Sequence, residues 1–260
     1  MNIPLLMTAT INTNGMDGLS VENMDERIGQ YVKTLQYYVN SDCVSQIVFV
    51  ENSGWDLSWL SRQVTTNGKV EIEYVSLDLN DFPRERGKGY GEFCLLDEGV
   101  RRSQLIKAAT HFVKVTGRFP VVNLSRLLKE AERKGDVKLF CDLKDHKIYD
   151  WLGLNWDGHH GDTRFYVVSK DFYNANFMGK YRELDDSKGL GAEWLMYQVA
   201  KNNICNPGVY CRFKTEPIFS GKAGHMPKSI IDSNDYSGSK QRIKRGCRQL
   251  GRKLLPWFWF

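Results

Sequence analysis

No apolar run in the 260 residues approaches the about 18 residues that would span a bilayer. The first residues, Met1-Asn-Ile-Pro-Leu-Leu6, carry no basic segment and meet the polar Thr8 too soon for a secretory leader. Six cysteines stand at 43, 94, 141, 205, 211 and 247, and no two of them form a Cys-x-x-Cys pair. Cys94 and Cys141 sit inside apolar runs and read as buried thiols, which excludes a disulfide framework and points to a reducing compartment. There is no internal repeat, and no low-complexity segment precedes the C-terminal tail. These absences leave a soluble, cytoplasmic chain as the expectation.

Excess charge is also missing from most of the molecule. The net charge of +5 comes from residues 240–260, which hold seven basic side chains and no acidic one. The body before them is close to neutral, which argues against a nucleic-acid-binding surface there. Aromatics, by contrast, are plentiful: seven Trp, twelve Tyr and thirteen Phe. They serve core packing, and the same side chains line sugar and nucleobase sites.

The apolar periodicity alternates. Ile3–Thr10, Gln46–Glu51, Val70–Ser76 and His111–Gly117 read as strands, the second bounded by the turn Asn52-Ser-Gly54. Met24–Val39, Trp55–Gln63, a stretch from about Glu92 to Ala109, and Leu124–Lys134 read as helices, with Gly87-Lys-Gly-Tyr-Gly91 as a glycine-rich loop before the third. Strands and helices in alternation imply an α/β fold with a mostly parallel central sheet flanked by helices. After about residue 135 the pattern becomes mixed: Asp136–Cys141 and Arg164–Ser169 look like strands and Gly191–Lys201 a helix. We therefore expect one domain over 1–238, with a nucleotide-binding half to 130 and an acceptor half over 131–238, and a separate tail over 239–260.

Ligands of open parallel sheets bind beyond the carboxyl ends of the strands. Those ends here are polar: Thr8-Ala-Thr10, Glu51-Asn52 and Thr116-Gly-Arg118. The glycine-rich Arg86-Gly-Lys88-Gly-Tyr-Gly-Glu92 matches neither a P-loop nor a dinucleotide fingerprint, yet its glycines admit a close ligand and Lys88 adds a positive charge. On a strand, Lys114, Thr116 and Arg118 would share one face, where a phosphate, or an ion-pair network with nearby carboxylates, would compensate them. His159-His-Gly-Asp162-Thr-Arg164 lacks the spacing of a zinc site and reads as a loop that brings Asp162 and Arg164 to a cleft rim.

In their order, Thr8-Ala-Thr, Val48-Phe-Val-Glu-Asn-Ser-Gly, Gly87-Lys-Gly-Tyr-Gly-Glu, Lys114-Val-Thr-Gly-Arg-Phe and Asp162-Thr-Arg-Phe make the chain resemble bacterial GT-A-like glycosyltransferases of surface-polysaccharide (lipopolysaccharide or capsule) assembly. The resemblance covers most of residues 3–230 and implies transfer of a sugar from a nucleotide donor, a UDP-sugar being the expected one, to a glycan or lipid-linked acceptor. Such enzymes ordinarily hold a divalent metal with Asp-x-Asp at the end of the fourth strand. No Asp-x-Asp occurs in this chain, and Thr116-Gly-Arg118 stands in its place. The resemblance then implies a metal-independent enzyme without a cofactor, in which Lys88, Lys114 and Arg118 stabilise the leaving diphosphate. Glu193, at a helix start, or Asp162 would be the base of an inverting reaction, and a retaining one stays open. Ser220-Gly-Lys222-Ala-Gly-His225 resembles the late loop that closes over the diphosphate in these enzymes.

Two other functions fit the same residues: a nucleotidyltransferase acting on sugar phosphates, and a non-catalytic membrane-associated binding module. In the tail, Ile243, Cys247, Leu250 and Leu254 recur at helical spacing among Lys and Arg, before Pro256-Trp-Phe-Trp-Phe260. That composition suits an anionic membrane surface, which would hold the enzyme on the inner face of the cytoplasmic membrane; the alternative is packing on its own domain or on a second subunit.

Overall fold

Four apolar strands and the helices between them build the first half of a seven-stranded sheet in the computed structural model, which describes residues 3–13, 23–66, 68–145, 147–153, 158–220 and 239–255. The elements are β1 (Leu5–Ala9), α1 (Met24–Val39), β2 (Gln46–Glu51), α2 (Ser58–Gln63), β3 (Glu71–Ser76), α3 (Gly87–Arg102), α4 (Gln104–Ala108), β4 (His111–Thr116) and α5 (Leu124–Glu132). The second half adds β5 (Leu139–Phe140), β6 (Leu143–Asp145), α6 (Lys147–Trp151), β7 (His159–Gly161), β8 (Phe165–Ser169), α7 (Lys170–Asn176), α8 (Ala192–Asn202), β9 (Val209–Tyr210) and α9 (Ser239–Leu254). The sheet runs β3-β2-β1-β4-β8-β5-β9, with β8 antiparallel to both neighbours and the other pairs parallel. This is the expected α/β architecture: a mostly parallel sheet flanked by helices.

Strand alternation sends side chains to two cores. Met7, Phe49, Val113 and Val115 pack against Tyr31, Leu35 and Tyr38 of α1. Leu6, Val48, Val50 and Phe112 pack against Phe93, Leu96 and Val100 of α3, and α8 closes the same face with Leu195, Met196 and Val199. The central strands β1, β2 and β4 therefore bury apolar side chains on both sides, which is why they read as nearly continuous apolar runs.

Three expectations change. The glycine-rich segment 87–91 is the first turn of α3 and not a loop before it. Its glycines serve contact: a Cβ at Gly89 would lie 2.7 Å from the Ala192 backbone nitrogen, and one at Gly91 would lie 2.8 Å from the Phe82 ring. The long helix expected over 92–109 breaks at Ser103, because the Glu73 carboxylate takes the N–H groups of Gln104 and Leu105 and the Ser103 hydroxyl, starting α4 afresh. The strand expected over Asp136–Cys141 shrinks to Leu139–Phe140. The small β6–β7 sheet, α7 and β9 are too short to leave a periodic signal.

The tail is a helix that docks on the body. Arg252 is 6% exposed and forks onto Asp142, with Nη1 to Oδ1 at 2.8 Å and Nη2 to Oδ2 at 2.5 Å. Arg248 pairs with Glu216 at 2.9 Å. Residues 256–260, with the terminal aromatics, lie outside the described residues.

Candidate functional site

The carboxyl ends of β1, β2 and β4 face the N-terminus of α3 across a cleft of about 170 Å³. Thr8, Thr10, Asn52, Lys88 and Arg118, all singled out from sequence, line it together. Arg27, Tyr31, Thr13, Phe82 and Glu92 line it as well and were missed. A weak signal for Arg27 was present: it stands four residues before Tyr31, on the same side of α1.

Local chemistry fixes the walls. Arg27 is 4% exposed, and its Nε and Nη2 donate to the Thr10 carbonyl at 2.8 and 2.5 Å. The Tyr31 hydroxyl accepts from the Thr10 N–H at 2.9 Å, so α1 holds the end of β1. Gly117 must be glycine, since a Cβ there would lie 2.5 Å from the Thr8 carbonyl oxygen. Arg118 follows in a turn beyond β4, not on the face of Lys114, because the strand ends at Thr116. It lies over the Phe119 ring at 5.1 Å and points toward Gln30 of α1.

Three cations thus converge. Burial lowers the Lys88 pKa, and Arg118 and Arg27 push the same way against the pull of Asp186. Burial lowers that of Arg118, with Arg27 adding to it against Tyr31. Asn52 is 3% exposed, and its amide oxygen has no hydrogen-bond partner among the described residues. The cleft is a cationic pocket with an unmet acceptor in its wall.

Lys114 and Glu51 play other parts than ligand contact. Lys114 is 0% exposed; its ammonium pairs with Glu92 and donates to the Thr163 carbonyl at 2.5 Å. The ion-pair alternative therefore holds for Lys114, and Glu92 is what brings it to the cleft floor. Glu51 is 0% exposed and accepts from the N–H groups of Ile11, Ser53 and Trp55 at 2.9 to 3.1 Å, organising the loops after β1 and β2. Thr116 donates its N–H to the Arg164 carbonyl, and neither residue lines the cleft. Lys222 and His225 lie outside the described residues; the base of their loop is held where Ser220 donates to the Pro120 carbonyl.

The two candidate bases differ in charge environment. Burial alone would raise the Asp162 carboxyl, but Arg164, at 2.6 Å and through its backbone N–H, holds it down at about 2. Glu193, in the first turn of α8, is open to solvent yet surrounded by protein on the other sides. Desolvation raises its pKa, and the charges of Glu92 and Asp162 add to that. Asp162 is a clamped anion, while Glu193 is a carboxylate whose proton affinity is raised.

His159 forms an ion-pair hub. Its Nδ1 meets Asp145 at 2.7 Å and its Nε2 meets Asp150 at 3.1 Å, with Lys201 on the other Asp145 oxygen at 3.0 Å. Desolvation lowers the His159 pKa, but the two aspartates outweigh it and raise it above 6.5. A His whose pKa is higher folded than unfolded stabilises below the unfolded value and loses that contribution as pH climbs through the folded one. The melting temperature should therefore fall in the native chain as pH rises past about 6.5 and through the raised folded value, and His159→Gln should flatten that slope. An identical slope in both proteins would exclude the hub as its source.

No protein-family model and no curated protein matches this chain. Among solved structures it is similar to mouse xyloside xylosyltransferase 1 in its apo form (TM-score 0.48, 11% identity, covering 82% of this chain and 85% of that one). It is also similar to the inositol-1-phosphate CTP transferase of T. maritima (TM-score 0.49, 14% identity, 92% and 98%). A further similar structure is a 4-diphosphocytidyl-2C-methyl-D-erythritol synthase of Anaerococcus prevotii (TM-score 0.47, 13% identity, 90% and 96%).

Proposed function

We propose that the chain is a glycosyltransferase that uses a nucleotide-sugar donor, with the diphosphate bound in the cationic cleft. The convergence of Arg27, Lys88 and Arg118 carries this reading. Three cationic side chains on one cleft wall attract an incoming anion, and guanidinium groups fit phosphate oxygens in pairs. Asn52 supports a nucleotide in particular: its unmet acceptor suits a ring N–H such as that of uracil. Phe82 in the same wall offers a ring face for a base.

The chemistry follows from charge. As the bond from sugar to diphosphate breaks, negative charge grows on the leaving oxygen, and Lys88 and Arg118 stand preorganised to stabilise it. An acceptor hydroxyl approaching from the side of α8 passes its proton to Glu193 as it attacks the anomeric carbon. A divalent metal at the end of β4 would need carboxylate oxygens there. Thr116, Gly117 and Arg118 supply none, and the three nearby cations would repel the ion, so these residues do not fit a metal at that place.

Thermal denaturation with and without nucleotide tests the reading. UDP at about a hundredfold excess over its Kd should stabilise the chain by about 2.7 kcal/mol, in the presence of EDTA as in its absence. Arg118→Ala should weaken binding about tenfold or more by removing a charge-assisted partner. No shift with any nucleoside diphosphate, or a shift abolished by EDTA and restored by Mn²⁺, would overturn it. Pyrophosphate release from a nucleoside triphosphate and a sugar phosphate would mark nucleotidyl transfer instead.

A further inference from the structure

We propose that α9 is a docking element for an anionic lipid surface, set so that the end of the sheet that carries the cleft faces the membrane. This rests on the transferase reading and deepens it: the acceptor would be a lipid-linked molecule presented at that surface.

The helix is inside out for an ordinary surface helix. It meets the body with polar side chains: Arg248 on Glu216, Gln249 on the Lys214 carbonyl at 2.5 Å, and the buried Arg252 on Asp142 and on the Phe213 carbonyl at 2.8 Å. Its apolar side chains point away. Ile243 is 67% exposed, Leu250 56% and Leu254 64%, and Cys247 between them is exposed as well. These positions recur every three or four residues and form one stripe on the face opposite Arg248 and Arg252. A helix that only needed to cover its own domain would turn this stripe inward, where each large aliphatic side chain would contribute roughly 1.5–3 kcal/mol.

Charge selects the occupant. The segment 240–260 has seven basic residues and no acidic one, and Pro256-Trp-Phe-Trp-Phe260 follows the stripe in sequence. An apolar stripe on a strongly cationic segment matches an anionic lipid surface, and Trp and Phe favour the headgroup boundary. An uncharged apolar protein partner would leave the cationic excess uncompensated.

Placement links the helix to the cleft. Asp142 follows β5, and β5 runs in the direction of β4, so Asp142 lies at the cleft end of the sheet. Its carboxylate holds Arg252, while its carbonyl accepts the Asp162 N–H at 2.8 Å. One residue thus joins α9 to the segment that carries Asp162 and Arg164. Cys205, in the connection from α8 into β9, lies at the opposite end, because β9 is parallel to β5.

The test uses the full chain and vesicles of phosphatidylcholine with or without phosphatidylglycerol. The protein should sediment with the anionic vesicles only and come off at high salt. The triple variant Ile243→Ser, Leu250→Ser, Leu254→Ser should lose roughly tenfold or more of that binding while keeping its thermal shift with UDP. A fluorophore on Cys247 should be quenched by nitroxide-labelled lipid, and one on Cys205 should not, each in a background where the other partly exposed cysteines are Ser. Equal binding to both vesicle types, no binding, an unaffected triple variant, or equal quenching at both sites would overturn the proposal. A concentration-dependent dimer that the triple variant dissolves, with no vesicle binding, would do so in favour of a protein interface. Loss of the UDP shift in the native chain would instead strike the transferase reading.

Discussion

Glu193→Gln is expected to lower turnover roughly 100-fold or more, the scale of general base catalysis, with donor binding unchanged. The amide keeps the size and the polarity of the side chain but cannot take a proton. The same variant separates the base role from a structural one through pH. Desolvation together with the Glu92 and Asp162 charges raises the Glu193 pKa above 4.5, and a base works only when deprotonated. Under the proposed transferase reading, the rate of the native chain should therefore rise with pH through that raised value, and the rise should vanish in Glu193→Gln. Near-normal turnover with an unchanged acidic limb would remove Glu193 from the reaction and leave a retaining mechanism. Asp162 is a poor substitute, because Arg164 holds it at about 2, where it has little affinity for a proton.

The largest stability effect is expected at Glu92. Lys114 is fully buried, and its charge is balanced by the Glu92 carboxylate at the cleft floor. Glu92→Leu would leave an ammonium in the sheet with the Thr163 carbonyl as its remaining described partner, at a cost of about 3 kcal/mol or more. The double variant with Lys114→Met should recover most of this, since two apolar side chains of similar length replace the whole pair. Chemical denaturation of the two single variants and the double one measures the coupling. Additive losses would show that the pair is not what makes either residue costly to remove.

Much of this architecture was legible along the chain. Met24–Val39 and Gln46–Glu51 form over the residues their periodicity marked, because an amphipathic helix and a β-branched run each bury apolar surface in only one regular conformation. The cleft was legible in part for a similar reason: Thr8, Thr10 and Asn52 are polar residues at the ends of apolar strands, and a parallel sheet gathers such ends at one edge. Arg27 and Glu92 were not legible as site residues. Both belong to helices whose rotation about their axes is set by packing against the sheet, and only that rotation turns them into the cleft.

What the sequence by itself determined is therefore the α/β class, the alternation of strands and helices up to α5 apart from the break between α3 and α4, the cationic tail and the polar strand ends. All of these follow from local composition and period. What only the tertiary structure decided is which charges meet. Lys114 read as a phosphate contact, with a carboxylate partner as the alternative, until α3 brought Glu92 to it. Gly89 and Gly91 read as a loop until α8 and Phe82 required their missing Cβ atoms. The tail stripe could have packed inward or pointed outward until Asp142 took Arg252 and turned it out. The physical reason is common to all three: charge pairing and close packing depend on distances across the fold, and residues far apart in the chain set those distances.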